Sequence, residues 1–551
     1  MKKHLWMVLP VLLVLCSCNN CNCDVTCKEC EPEEEEATLD KDLAILYTND
    51  VHCEVGSDTH LGYAELAQCK KDMVNDGNYV TLVDCGDSIQ GGTIGTLSNG
   101  LYLSDIMQEV GYDVAIPGNH EFDYGMDNFL TLEKNSSFPY VCCNFMDLKT
   151  NETVLDPYYM CEYDDVRVAY IGITTPKTIT SSTPKYFQDD SGNFIYGFCQ
   201  DSKEIFYDRI QDTIEDAKER GADYVVGLSH LGTTEDMSPF MSTDVIANTT
   251  GIDVMLDGHS HSFIRSERVA NKDGKKILLS STGTKFESFG ILYITKEGNI
   301  TTELVEKYAS KDTSVSEYIA SIQAQYADKL NEKVASTNYD LTILDPETKK
   351  RMVRNKETNL GDLCADAFRE YTGSDIAVIN GGGVRANIPT GDITYGNVLD
   401  VMPYNNEVCE IEVTGKILKE ALELSVYNLP IEFGGFLQVS GMSFDVDSSI
   451  ATPVVLDSAG MFLSMSGENR VSNIKIGSED LVEDKTYTLS SITYILTSDG
   501  NGYTMFDGCT VLKNEGVLDN QVLINYIQDN LSGVVGEQYK DPYGDGRINI
   551  K

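Results

Sequence analysis

The chain reads as two mixed domains of helix and strand, and three observations carry that expectation. It has 551 residues, more than one hydrophobic core usually serves. From about residue 42, short apolar runs alternate with amphipathic helical patterns, the signature of an α/β layer structure. A second mixed region starts near Glu347, behind a helical stretch that is polar over much of its surface. An apolar content of 41% with 9% aromatic residues suits a globular chain rather than a disordered one.

The first residues read as an export signal. Lys2 and Lys3 form a basic start, and the apolar run from Leu5 to Leu15 is too short to span a bilayer, which takes roughly 20 apolar residues. It ends in Leu15-Cys16-Ser17-Cys18, which resembles a bacterial lipoprotein box with a lipidated Cys18 as the mature first residue. Six of the 16 cysteines lie between Cys16 and Cys30, and the acidic run Glu31-Pro32-Glu33-Glu34-Glu35-Glu36 follows. Such a segment has nothing to bury and reads as a tether. The other ten cysteines are scattered and make no disulfide framework.

Strands are expected at 43–48, 79–83, 114–117, 166–174, 224–228, 254–256 and 277–280, with helices at 63–74, 101–110 and 203–220 between them. Residues 315–330 suit a helix joining two domains. Beyond them a helix at 359–371, a strand at 376–379 and a β-rich tail to Ile550 are expected. Acids outnumber bases 87 to 42, a net charge of −45 that repels other polyanions and excludes general nucleic-acid binding. A small anionic substrate still fits if metals and a few arginines reverse the sign locally.

Polar motifs recur at one structural place, just after an apolar strand. They are Asp50-x-His52, Asp87 in "VTLVDCGD", Asn119-His120 in "AIPGNHEFD", His230 in "YVVGLSH" and His259-x-His261 in "VMLDGHSH". Five of the seven histidines sit in these motifs; only His4 and His60 do not. Ligands of α/β sheets gather where strands end, so this mixture points to a metal site. Carboxylate, imidazole and amide donors without thiolate suit Zn, Mn, Fe or Co, and they are too many for one ion. Two divalent metal ions about 3.5–4 Å apart, sharing a carboxylate, serve phosphoryl hydrolysis.

The order "NDVH", "GDSIQGG", "GNHEFD", "SHLG", "GHSH" resembles the calcineurin-like metallophosphoesterases, and specifically the 5′-nucleotidases of bacteria and animals. The likeness runs to the C-terminus, through "TNLGDLCADAFR", "VINGGGVRANIPTGDITYGNVLDVMPYNN" and "GFLQVSGMSF". It implies an α+β chain: a four-layer α/β/β/α metallophosphatase domain at 41–310, a linker helix at 311–344 and a smaller mixed α/β substrate-binding domain at 345–551, behind a signal and tether at 1–40. Asp50, His52 and His261 would hold the first metal, Asp87 would bridge, and Asn119, His230 and His259 would complete the second. His120 would stabilise the transition state or protonate the leaving oxygen, oriented by Asp123.

The same resemblance makes Arg354 and Arg385 phosphate clamps, with Lys350 near a third cationic position. The glycines 381–383 before Arg385 are expected to let backbone approach an anion, and Asn380 stands with the substrate-binding residues. Tyr404 matches the first ring of a base-binding sandwich and Asn406 a base-contacting amide. The second ring falls on Ile495, so adjacent Tyr494 would have to compensate, and the ribose-binding acid falls on Asn501, two residues after Asp499. The implied activity is hydrolysis of a 5′-nucleotide to nucleoside and phosphate by an exported, lipid-anchored enzyme. Hydrolysis of 2′,3′-cyclic nucleotides or nucleotide sugars, and a surface binding protein on a retired enzyme, are the competing readings. The tail "DPYGDGRINIK" has Asp541 and Asp545 as in a calcium loop, without the spacing or closing Glu of an EF-hand.

Overall fold

The computed structural model describes residues 38–57, 60–189 and 191–551; the export signal, Cys18 and the acidic run lie outside the described residues. Successive side chains of a strand point to opposite faces, so an uninterrupted apolar run must be buried on both. The strand Leu43–Thr48 does this: Leu43, Ile45 and Tyr47 enter one core, Ala44 and Leu46 another. It sits at the centre of a five-stranded sheet in the order Ile300–Val305, Phe289–Ile294, Leu43–Thr48, Tyr79–Asp84, Val114–Ala115. The last three run parallel.

A six-stranded sheet follows the same logic, in the order Phe263–Ala270, Lys276–Thr282, Val254–Leu256, Tyr224–His230, Val166–Thr174, Tyr158–Tyr163. Its inner four strands are parallel and its edges are closed by antiparallel hairpins. Val166, Val168 and Tyr170 meet Ile45 and Tyr47 between the sheets, whereas Ala169, Ile171 and Ile173 face outward. There they meet Phe206, Ile210 and Ile214 of the helix Lys203–Glu219, whose first turn is capped by the Ser202 side chain. On the other outer face Ala44 and Leu46 meet the helices Tyr63–Asn75 and Leu101–Val110. Four layers result: helix, sheet, sheet, helix.

The C-terminal half has its own core, from Ala335 to Ile548. Its five-stranded sheet runs Leu437–Ser440, Ile376–Asn380, Thr486–Ile492, Glu407–Thr414, Thr510–Leu518. The helix Asn359–Thr372 packs on it, begun by the Thr358 side chain and ended by Gly373 at φ 75°. The stretch expected to be β-rich also holds the helix Gly415–Ser425, because Leu418, Ala421, Leu422 and Ser425 form one buried helical stripe. The joining helix Thr313–Leu330 sends Val315, Ile319 and Ile322 into the first half's core. The strand Lys333–Thr337, inside the expected linker, already pairs with Gly391–Thr394 and Val534–Val535 of the second half.

Phe122 ties the GNHEFD turn to this framework: it is fully buried among Phe129, Phe145, Phe187 and Phe198. Phe122→Ala is expected to destabilise the first half by about 3–5 kcal/mol, read as a fall in its denaturant midpoint.

Candidate active site

The parallel strands end on one side of the two sheets, and the loops leaving them carry the chemistry. Leu43–Thr48 runs out into Asp50 and His52, Tyr79–Asp84 into Asp87, and Val114–Ala115 into Asn119 and His120. Tyr224–His230 ends on His230, and Val254–Leu256 delivers His259 and His261. Five of the seven expected ligands, Asp50, His52, Asp87, His259 and His261, have positive φ between 49° and 76°. A side chain rarely accepts that conformation, which persists only where the surroundings over-determine it. Here the loops hold each other: the Asp50 N–H donates to Gly86 O and the His52 N–H to Asp87 O. The buried carboxylate of Glu121 accepts from the N–H groups of Asp87, Ser88 and Gly118, joining two of the loops. Sequence reading missed that role, although Glu121 stands in the GNHEFD motif.

Two groups of donor atoms come together, Asp50 with His52 and His261, and Asp87 with His230 and His259, and a third, His52 with Asp87 and His120, spans them; each group lies within 4.8 Å. His52 Nε2 is 3.0 Å from His261 Nε2 and 3.8 Å from Asp87 Oδ2. His230 Nε2 is 3.0 Å from Asp87 Oδ2 and 4.0 Å from Asp50 Oδ1. His52 Nδ1 lies 2.9 Å from the carbonyl of Gln90, and His230 Nδ1 lies 2.7 Å from that of Cys85. A carbonyl only accepts, so each Nδ1 carries the hydrogen and each Nε2 is turned toward the neighbouring donor groups.

Burial lowers the pKa of His230, but Asp87 and Asp50, which face its Nε2, outweigh it and raise it to about 10, and the buried Asn119 Oδ1 has no hydrogen-bond partner. Burial pushes Asp50 up to about 7, countered by His230 and reinforced by Asp87, and it holds His52 and His261 well below the usual imidazole range. Two carboxylates and four imidazoles a few ångströms apart, with a buried amide oxygen left unpartnered beside them, fit a pair of divalent cations held among them. The described residues contain one other acidic cluster, Glu357, Asp362 and Asp545. Arg547 already supplies its positive charge, pairing with both oxygens of Asp366 at 2.7 and 2.9 Å and with Asp545 at 2.8 Å.

Beside the donors lies a cavity of about 880 Å³. His120, Asp123, Asn119 and Asp87 line it from the first half; Asn380, Arg354, Arg385, Tyr404, Asn406, Tyr494 and Asn501 line it from the second. His120 Nδ1 is 2.5 Å from Asp123 Oδ2, and its Nε2 is 4.0 Å from Asp87 Oδ2. Burial opposes a charge on His120, but the carboxylates of Asp123 and Asp87 outweigh it and raise its pKa. The Arg354 guanidinium is buried with Nε unpartnered, and burial beside Arg351 and Arg385 lowers its pKa. Arg385 lies 6.0 Å over the Tyr404 ring.

Several expectations change. Lys350 is exposed; the third guanidinium on the cavity wall is that of Arg351, held by Glu432 at 2.6 Å. Side-chain direction at the strand bridge Leu344–Arg351 decides this, and spacing alone does not show it. The amides of Gly381 and Gly382 donate to Phe436 O and Gly434 O, so they are not free to bind an anion. A side chain at Gly381 would strike the Val353 carbonyl, which accounts for the glycine by close chain packing. Ile495 is fully buried, and Tyr494 takes the cavity position, its ring flat against Gly500 and its hydroxyl donating to Thr180 O at 3.0 Å. Asn501 accepts from Asn380 Nδ2 at 3.1 Å. Phe433, overlooked in the sequence, adds a ring to the wall; the run "EFGGF" was its only signal.

Chelation is expected to lower the thermal midpoint, and Mn, Zn or Co to restore it. Asp87→Ala, which removes the carboxylate nearest both groups, should bring metal content below two ions per chain by elemental analysis.

A family profile described as calcineurin-like phosphoesterase matches residues 43–263, and one described as 5′-nucleotidase, C-terminal domain, matches residues 333–508. The trifunctional nucleotide phosphoesterase protein YfkN of Bacillus subtilis is 26% identical across 88% of this chain, which spans about a third (34%) of that protein's length. The 5′-nucleotidase of Vibrio vulnificus is 25% identical, covering 89% of this chain and 90% of its own. Among solved structures, a 5′-nucleotidase precursor from Thermus thermophilus superposes with a TM-score of 0.76 at 25% identity, over 92% of this chain and 99% of its own. The sulfate thiohydrolase SoxB shares the fold at 16% identity and a TM-score of 0.68. With two domain profiles in the family's order and full-length likeness on both sides, the chain belongs to the 5′-nucleotidase family of calcineurin-like metallophosphoesterases.

Proposed function

We propose that this metal-dependent phosphoester hydrolase cleaves nucleoside 5′-phosphates to nucleoside and orthophosphate. The observation that carries the reading is one cavity lined by dinuclear donor residues on one side and by three guanidiniums with two tyrosines on the other. We assign Asp50, His52 and His261 to one cation and Asn119, His230 and His259 to the second, with Asp87 between them. The bound cations supply charge neutralisation of the phosphate and activation of water. Arg354 and Arg385 grip the phosphate oxygens, for which a guanidinium fork is shaped. His120, held at Nδ1 by Asp123, gives the Nε2 proton to the leaving oxygen. Tyr404 and Tyr494 face the base, with Asn406 at its edge, and Asn380 and Asn501 serve the ribose.

The same cavity favours a second reading for larger substrates. At about 880 Å³ it sits near the top of the range for small-molecule pockets, which admits a nucleotide sugar. We divide the chain into domains at 41–310 and 333–551, the C-terminal one beginning with the strand Lys333–Thr337 that the expected linker had included. Export and anchoring through Cys18 complete the proposal; among the described residues no helix is long and apolar enough to cross a membrane.

His120→Ala should lower the turnover of a nucleoside 5′-monophosphate by roughly 10²–10⁴ while two metal ions per chain are retained; loss of metal would reassign the residue. Arg385→Ala should raise KM, and an unaltered KM would remove it from the phosphate site. A panel of mono-, cyclic and sugar-linked nucleotides with Mn, Zn and Co decides substrate class.

A further inference from the structure

The Asp123 carboxylate has two oxygens, each with a different partner. Oδ2 meets His120 Nδ1 at 2.5 Å, and Oδ1 accepts from Ser182 Oγ at 3.0 Å. Both side chains are withdrawn from water: Asp123 is 6% exposed as a side chain, and Ser182 is 1% exposed. The terminal torsion of an aspartate is broad and roughly two-fold, so a carboxylate held at one oxygen alone is free to swing. A donor on the second oxygen removes that freedom.

Ser182 is itself well placed to act as a fixed point. It follows the single helical turn Thr178–Ser181, and its N–H donates to Thr178 O. That turn is gripped from the other half of the chain. Tyr494 OH donates to Thr180 O at 3.0 Å, and in the next turn, Pro184–Phe187, Lys185 Nζ donates to Thr497 O. The hydroxyl on Asp123 is therefore located by contacts to both halves that enclose the cavity.

We propose that Ser182 is a positioning residue for the reaction. By occupying Asp123 Oδ1 it sets the plane of the carboxylate, which sets the imidazole of His120 and aims Nε2 at the leaving oxygen. The proton moves from Nε2 to that oxygen as its bond to phosphorus breaks. Nδ1 keeps its hydrogen on Asp123, and the imidazole is left neutral. The inference rests on His120 as the proton donor in the function proposed above.

Leaving-group chemistry separates this role from a merely structural one. A nucleoside 5′-oxygen needs a proton to depart, whereas p-nitrophenolate departs without one. Ser182→Ala should lower kcat for a nucleoside 5′-monophosphate roughly tenfold, the scale for losing an outer partner of a site. KM and metal content should hold, and the loss on p-nitrophenyl phosphate should be smaller. Added to Asp123→Asn, the same change should cost no further kcat on the nucleotide, because residues acting through one another are not additive. Equal losses on both esters, an unaltered kcat, or losses that multiply in the double variant would each overturn the proposal. Failure of the unmodified protein to release phosphate from any nucleotide would instead sink the functional reading, a separate outcome.

Discussion

One constraint governs the first half of this protein: the buried carboxylates of Asp50 and Asp87 are held together among the imidazoles of His52, His230 and His261. Only positive charge relieves that arrangement in a buried site. Much of the surrounding architecture serves to hold it. The left-handed residues at Asp50, His52, Asp87, His259 and His261 turn the chain sharply at strand ends so that the side chains converge. The Cys85 and Gln90 carbonyls orient the His230 and His52 imidazoles, and Glu121 fastens the Asp87 loop to the loop of Asn119. Two sheets packed face to face supply the rigid floor from which these loops spring.

The second half answers the same electrostatic question with the opposite sign. A chain of net charge −45 should repel a phosphate at long range. Inside the cavity, however, Arg351, Arg354 and Arg385 stand together with one carboxylate partner, Glu432, engaged by Arg351. Arg354 leaves a buried Nε unpartnered, a donor whose satisfaction requires an anion or water from outside the protein. Cations on one wall and guanidiniums on the other suit a doubly charged ester between them. Contacts such as Thr93 with Asp400 and Tyr494 with Thr180 keep the walls at that spacing.

Much of this was legible in the sequence because the signals are local. Strand ends carry Asp, Asn and His at short spacings, so both the donor types and their place in the fold follow from motifs a few residues long. The buried strand Leu43–Thr48 and the helix Leu101–Val110 were also readable, since periodicity needs only neighbours in the chain. The helix Gly415–Ser425 shows the limit of that reading: its stripe is present in the sequence but was absorbed into a stretch taken as β-rich.

By itself, then, the sequence determined the alternation of elements, the chemistry of the donors and the acid–imidazole pair of Asp123 and His120, all set within a turn or a strand. Only the tertiary structure decided which groups meet across long separations. It chose Arg351 over Lys350 for the cavity wall, gave Tyr494 the place that Ile495 could not fill, engaged the amides of Gly381 and Gly382 in chain packing, and brought Ser182 to Asp123 from 59 residues away. Those outcomes depend on side-chain direction and on distances between distant segments, and both are fixed when the layers pack.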